Sequence, residues 1–238
     1  MNNREILISL AIKYKGSYDR IRHAIINRED VEYLPCESCL TVFDNDYPKE
    51  LYDLKEPPFV LFYKGNKELL RERKIAVVGS RKPCDYALDA TKALVRHFSD
   101  NVVISGLARG IDAHAHRNAA RTIGILGCGI DYIYPKENEG LYEKIEQEGL
   151  LLSEYPGKCM PYPYNFPFRN RIIAALAGTV YIMEAHEKSG TLTTINAALE
   201  LGKDVKVLPY DVFSTEGRYN NYLINEGAMM ISDEDISI

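Results

Sequence analysis

No apolar run in this 238-residue sequence approaches the roughly 18–20 residues that a membrane-crossing helix needs. An integral membrane protein built on such helices is therefore excluded. The N-terminus offers no small-residue cleavage site, and Lys13 and Lys15 break its apolar patch. It reads as the start of a helix and not as a signal peptide. Cysteine is sparse and odd in number, five in all, which excludes a disulfide-built miniprotein and suggests free thiols in a cytosolic protein. Cys36 and Cys39 form a single C-x-x-C with no second pair and no histidine cluster nearby. Zinc takes about four ligands, so the pair reads as two small side chains in a turn after Pro35, and no metal is expected. Positive charge is also short: 29 Lys and Arg stand against 34 Asp and Glu, a net −5. Such a chain cannot coat nucleic acid through general basicity, so any phosphate site must be a local cluster. Walker A, three-glycine dinucleotide, H-E-x-x-H and G-x-S-x-G motifs are all missing, which leaves ATP hydrolysis and NAD chemistry without local support.

The apolar fraction is 46% and the charged fraction 26%, ordinary for a folded soluble chain. The length suits one large domain, or one domain with a small appendage. Residues 1–30 carry two apolar stripes at helical spacing, Ile6-Leu7-Leu10-Ala11 and Ile21-Ala24-Ile25, separated by Gly16-Ser17 as a stop and an N-cap. Phe59 to Tyr63 is a strand candidate. From residue 74 onward, short apolar runs (74–80, 102–106, 122–127, 151–155, 179–184, 205–209, 228–231) alternate with helical stretches (85–98, 111–120, 138–148, 169–177, 191–201, 219–226). That rhythm predicts parallel βαβ units in an α/β fold: a Rossmann-like, doubly wound, mostly parallel sheet behind a short N-terminal helical region. The expected division is 1–45 and 46–238. Asp233-Glu234-Asp235 reads as a solvated tail.

In such a sheet ligands bind beyond the C-terminal strand ends, near the switch point. The residues found there are Gly79-Ser80-Arg81, Ser105 to Asp112, Gly127-Cys128-Gly129, Glu184, and Lys188-Ser189-Gly190-Thr191. Glycines, hydroxyls and cations at one rim suit an anion, because bare backbone N–H groups and helix N-termini face it. His114 and His116 lie two apart on a predicted helix, so they do not share a face. The segment 157–171, GKCMPYPYNFPFRNR, holds Lys158, Arg169 and Arg171 and no acid. Tyr162, Tyr164, Phe166 and Phe168 interleave with them. Pro161, Pro163 and Pro167 are expected to keep the segment extended and out of a helix. One reading is a single-strand platform, with bases on rings and phosphates on guanidinium groups. The other is a loop packed on the sheet, with Arg169 and Arg171 paired to Glu154 or Glu184. Composition leaves both open.

Six segments then follow in order: KIAVVGSR (74–81), SGLARGIDAHAH (105–116), TIGILGCGIDYIYPKEN (122–138), SEYP (153–156), FPFRNRII (166–173) and SGTLTTINAALELG (189–202). Together they resemble the DNA-processing protein A (DprA/Smf) family over roughly residues 45–231. The resemblance implies an extended Rossmann fold that binds single-stranded DNA without sequence specificity and without catalysis or cofactor. It also implies protection of incoming strands in natural transformation, loading of the RecA recombinase, a homodimer and a cytoplasmic location. Carried over by motif, Arg81 after Gly79 and Ser80 would hold a phosphate. Ser105, Gly106, Arg109 and Gly110 would line the neighbouring rim. Phe166 would stack a base, while Arg169, Asn170 and Arg171 fix the strand. Ser189, Gly190 and Thr191 would donate at a helix start beside Lys188. The chain departs from the family pattern at Pro163, where a basic residue is common and Lys158 would have to substitute. It departs also at Cys84, Ala87 and Tyr210, in its short N-terminal region, and in carrying no winged-helix segment after the Rossmann part. A second functional class stays in view: a nucleotide-binding protein or nucleoside-monophosphate hydrolase. Such hydrolases resemble P-G-G-x-G-T followed by paired glutamates, where this chain has Ser189-Gly190-Thr191-Leu192-Thr193-Thr194.

Overall fold

The computed structural model describes residues 1–236. The chain opens with α1 (Asn3–Lys13) and α2 (Tyr18–Ile26). Asn2 caps α1 through a capping box with Glu5, satisfying donors that a helix start leaves free. Gly16 sits at φ +73° between the two helices, a conformation open to glycine, and Ser17 occupies the N-cap position of α2.

Among the described residues nine strands form one sheet: β1 (Cys39–Thr41), β2 (Val60–Gly65), β3 (Lys74–Val78), β4 (Val102–Ser105), β5 (Thr122–Leu126), β6 (Leu150–Ser153), β7 (Thr179–Ile182), β8 (Asp204–Val207) and β9 (Met229–Met230). Their order is β1-β2-β6-β5-β4-β3-β7-β8-β9. All pairings from β6 to β9 are parallel, and β1 and β2 add an antiparallel edge. The doubly wound, mostly parallel sheet expected from the strand–helix rhythm is therefore present. β1 lies in a stretch read as helical and irregular, and three residues are too few to show a period.

Six more helices cover the sheet: α3 (Asp85–His97), α4 (Ile111–Asn118), α5 (Glu139–Glu148), α6 (Asn165–Leu176), α7 (Thr191–Glu200) and α8 (Arg218–Asn225). Alternate residues of each strand point to opposite faces. Ala76 and Val78 of β3 join a core with Ile172 to Leu176 of α6, while Ile75 and Val77 join another with Leu94 of α3 and Ile111 of α4. A third core unites α1 and α2 with Cys39 of β1 and Val60 and Phe62 of β2, so the N-terminal helices pack onto the sheet's antiparallel edge. No described helix is long and apolar enough to cross a membrane.

Two expectations need correction. Pro161, Pro163 and Pro167 do not keep the whole segment extended: α6 starts at Asn165 and takes Pro167 into its first turn. There a missing N–H costs nothing, because first-turn donors have no partner inside the helix. The acidic end is not simply solvated either. Asp235 is buried, paired with Lys206 at 2.6 Å and bonded to the Tyr181 hydroxyl at 3.3 Å.

Candidate functional site

The strand order reverses between β3 and β7, which is where an open α/β sheet leaves a crevice. Two hollows of about 600 and 770 Å³ lie there and share Arg81, Ala108, Tyr134, Phe166 and Arg169 as walls. The larger is basic, with Arg81, Lys82, Arg169 and Lys188 set against Asp112. The smaller is mixed, because Arg109 and Lys136 are set against Asp131, Glu137 and Glu139.

The loop after β3 presents two exposed cations, Arg81 and Lys82. Its shape is set from below. A Cβ on Gly79 would lie 2.8 Å from Ile111 and 3.0 Å from the Glu184 carbonyl, so the loop leaves the sheet through a gap that only glycine fits. Ser80 is buried, and its hydroxyl accepts the Lys82 N–H at 3.1 Å. At the far end, buried Glu184 accepts the Cys84 N–H at 2.9 Å and lies 3.4 Å from His186. The Ile111 N–H donates to the Ser80 carbonyl at 3.1 Å, and Gly110 reaches that contact with φ +74°. Arg81 thus projects from a loop tied to β7 and α4.

Beneath it lies a buried polar layer. Arg169 is 5% exposed and donates to the Ile125 carbonyl and to Asn170 at 3.1 Å. Gly106 separates it from Asp112: a Cβ there would be 2.5 Å from the Asp112 carboxylate and 2.6 Å from the guanidinium. Burial pushes the Asp112 carboxyl up and the Arg169 guanidinium down, and each charge resists the other's shift. Burial also pushes His116 down to about 4; its Nε2 faces the Gly106 carbonyl at 2.6 Å and its Nδ1 the Thr122 hydroxyl at 2.5 Å. Of the two histidines, His116 is packed and His114 half-buried.

Phe166 stands half-exposed where the hollows meet. Tyr134 lies beside it, with ring centroids 5.6 Å apart. A Cβ at Gly127 would come within 2.7 Å of the Phe166 ring, so that glycine makes room for the aromatic. Asn170 holds the opposite lip by donating to Thr193 Oγ1 at 2.7 Å and to the Gly190 carbonyl at 3.2 Å. Lys188 and Gly190 are exposed on this lip, Thr191 is buried, and the Ser189 hydroxyl is buried with no hydrogen-bond partner among the described residues.

Other expected site residues are engaged elsewhere. Ser105 is fully buried and donates to the Val77 carbonyl at 2.6 Å. Arg109 is exposed but paired with Glu137. Arg171 points away from the crevice: it pairs with Glu154 at 2.6 Å, donates to the Glu56 carbonyl at 2.9 Å and covers the Phe168 ring at 3.7 Å. The packed-loop reading holds for Arg171. Lys158 is exposed but lines neither hollow. Lys82, Tyr134, Lys136 and His186 line the crevice without having been singled out in the sequence. Lys82 could have been found from its place beside Arg81, but Tyr134 carries no local signal.

The model for the family described as DNA recombination-mediator protein A matches residues 38–238. The sequence is 39% identical to DNA processing protein DprA of Streptococcus pneumoniae over 202 residues, covering 82% of this chain and 72% of that protein. It is 43% identical to protein Smf of Synechocystis over 210 residues, again 82% of this chain but 52% of the relative. Among solved structures, S. pneumoniae DprA aligns with TM-score 0.80 at 31% identity over 99% of this chain and 94% of that one. Helicobacter pylori DprA, described for its single-stranded DNA binding mode, aligns with TM-score 0.75 at 35% identity over 81% and 90%.

Proposed function

The chain belongs to the DNA recombination-mediator protein A family, and on that footing we propose that it binds single-stranded DNA across the β3–β7 crevice. The observation that carries this reading is the placement of exposed Arg81 beside half-exposed Phe166 in a basic hollow of about 770 Å³. Phosphates would run along Arg81, Lys82 and Lys188, while a base stacks on Phe166. Arg169 acts from below as a fixed positive charge holding the floor, with Asn170 positioning the Ser189–Thr191 lip. Gly79, Ser80, Gly106 and Gly110 shape the loops, and backbone groups at Ser189, Gly190 and Thr191 complete the rim. Ser105 and Arg171 act through the fold rather than on the strand. Arg109 joins only if DNA displaces Glu137, and Lys158 only if the strand extends past the hollows.

The role is that of a non-enzymatic mediator in the cytoplasm. It shelters an incoming strand during natural transformation, passes it to RecA and works as a homodimer. The family's recombination-mediator description supports this placing. The alternative, nucleoside-monophosphate hydrolysis, asks for a free carboxylate pair. Glu184 instead is buried and holds the Cys84 N–H, and threonines occupy the positions where the second acid would stand.

The test is a fluorescence-anisotropy titration with a short labelled oligothymidine at two salt concentrations, beside the matching duplex. Binding should be single-strand selective and weaken with salt. Arg81→Ala should lower affinity across sequences and reduce the log–log salt slope by about 0.7, one phosphate's worth on a single strand. Phe166→Ala should cost roughly 1–3 kcal/mol with the slope unchanged. Absence of binding at low salt, or wild-type affinity in both variants, overturns the assignment. A RecA-filament assay on protein-coated single strands then tests the loading role.

A further inference from the structure

The C-x-x-C of the sequence has no part in the crevice. Cys36 is half-exposed and follows Pro35, whereas Cys39 opens β1 and is 2% exposed. The Cys39 thiol lies 3.3 Å from the Cys36 carbonyl. Arg4 donates to the Cys39 carbonyl at 3.2 Å, placing a guanidinium beside the pair. Cys36 borders a hollow of about 620 Å³ between the end of α1 and the turn after β6, and Cys159 lines the same hollow. Among the described residues, no group of three or more His, Cys, Asp or Glu could hold a metal ion. The arrangement is an accessible thiol at the mouth of a cavity with a buried thiol behind it.

We infer that Cys36 and Cys39 form a thiol–disulfide exchange site for low-molecular-weight disulfides of the glutathione type, with Cys36 as nucleophile and Cys39 as resolving thiol. The Cys36 thiolate attacks one sulfur of the small disulfide, forming a mixed disulfide and expelling the first small thiolate. The Cys39 thiol then gives up its proton and attacks the Cys36 sulfur. The Cys36–Cys39 bond forms, and the mixed bond breaks to release the second small thiolate. Two electrons pass from the dithiol to the small disulfide, and the two thiol protons end on the released thiols. Electrostatics assist: the neighbouring Cys39 thiol, with help from the Ser38 backbone and Arg4, brings Cys36 down to about 7. Burial pushes the competing Cys159 thiol up. More of Cys36 than of an ordinary thiol is then thiolate near pH 7, which outweighs the lower nucleophilicity of a more acidic sulfur, so its reaction should lead by several fold.

The test treats the whole chain with oxidised glutathione at pH 7 and follows intact mass and peptide maps. The wild type should lose two hydrogens and regain them with dithiothreitol. Cys39→Ser should accumulate one glutathione on Cys36, the half-exposed thiol, several fold faster than on Cys159. Cys36→Ser should do neither, and because it changes a half-exposed side chain it keeps the test decisive if Cys39→Ser unfolds. Equal rates at Cys36 and Cys159, or a wild type that never forms the internal bond, overturn the proposal. Neither result bears on DNA binding.

Discussion

A buried carboxylate and a buried guanidinium crowd into the place that a side chain on Gly106 would fill, and His116 hydrogen-bonds to that glycine's carbonyl. The histidine couples the layer to pH. Its folded value of about 4 lies below the ordinary 6.5, so the unfolded chain binds a proton that the folded chain refuses. Stability from this group is present above pH 6.5 and lost as pH falls toward 4, by up to about 3 kcal/mol. Asp112, raised by burial, acts in the opposite sense and loses stability as pH rises. Urea unfolding at pH 7 and pH 4.5 separates them: His116→Gln should lose less stability on acidification than the wild type. Equal losses would show that His116 does not carry the acid dependence. None of this layer was legible locally. Asp112, His116 and Arg169 were visible as types, but their meeting depends on β4, α4 and α6 converging, which no short-range pattern encodes.

The loop after β3 behaves as one unit with the end of β7, because the Glu184 side chain holds the Cys84 N–H. Glu184→Leu removes that acceptor, whereas Glu184→Gln keeps an oxygen in place. Hydrogen exchange at the Cys84 amide should rise about tenfold in the first, in line with a lost bond worth roughly 1–1.5 kcal/mol, and stay near wild type in the second. Exchange unchanged in both would mean that the loop is held by other contacts. The central strands are readable because, buried on both faces, they stand out as short apolar runs, and most helices because apolar positions recur at a period of 3.6. The start of α6 is hidden in the sequence because proline breaks a helix in its interior but not in its first turn. At the third helical position, where Pro167 stands, proline is harmless. The pairing of Arg171 was half visible: Glu154 was a named candidate, but the Phe168 ring beneath it was not.

At the scale of the whole molecule, the segment 212–230, which leads through α8 into β9, carries exposed apolar residues. Phe213 is 90% and Val212 82% exposed, with Tyr222, Met229 and Met230 also open. Isolated apolar side chains are ordinary on a surface, whereas a cluster marks a contact site. In sedimentation equilibrium the wild type should run at twice its 27.0 kDa chain mass, and Phe213→Asp with Met230→Asp should run at once that mass. A wild-type monomer across micromolar concentrations would remove the dimer from the functional account. At the opposite edge, Tyr18 of α2 stacks on Phe59 at 4.7 Å and leans on Phe168 at 6.3 Å. Phe168 lies under Arg171, and Arg171 is anchored to Glu56 and Glu154. One turn of α6 therefore faces two ways, with Arg169 toward the crevice floor and Arg171 toward this aromatic stack. The small N-terminal helices are a buttress for the crevice wall, and an excision that spares every crevice residue but removes Tyr18 would still let that wall sag.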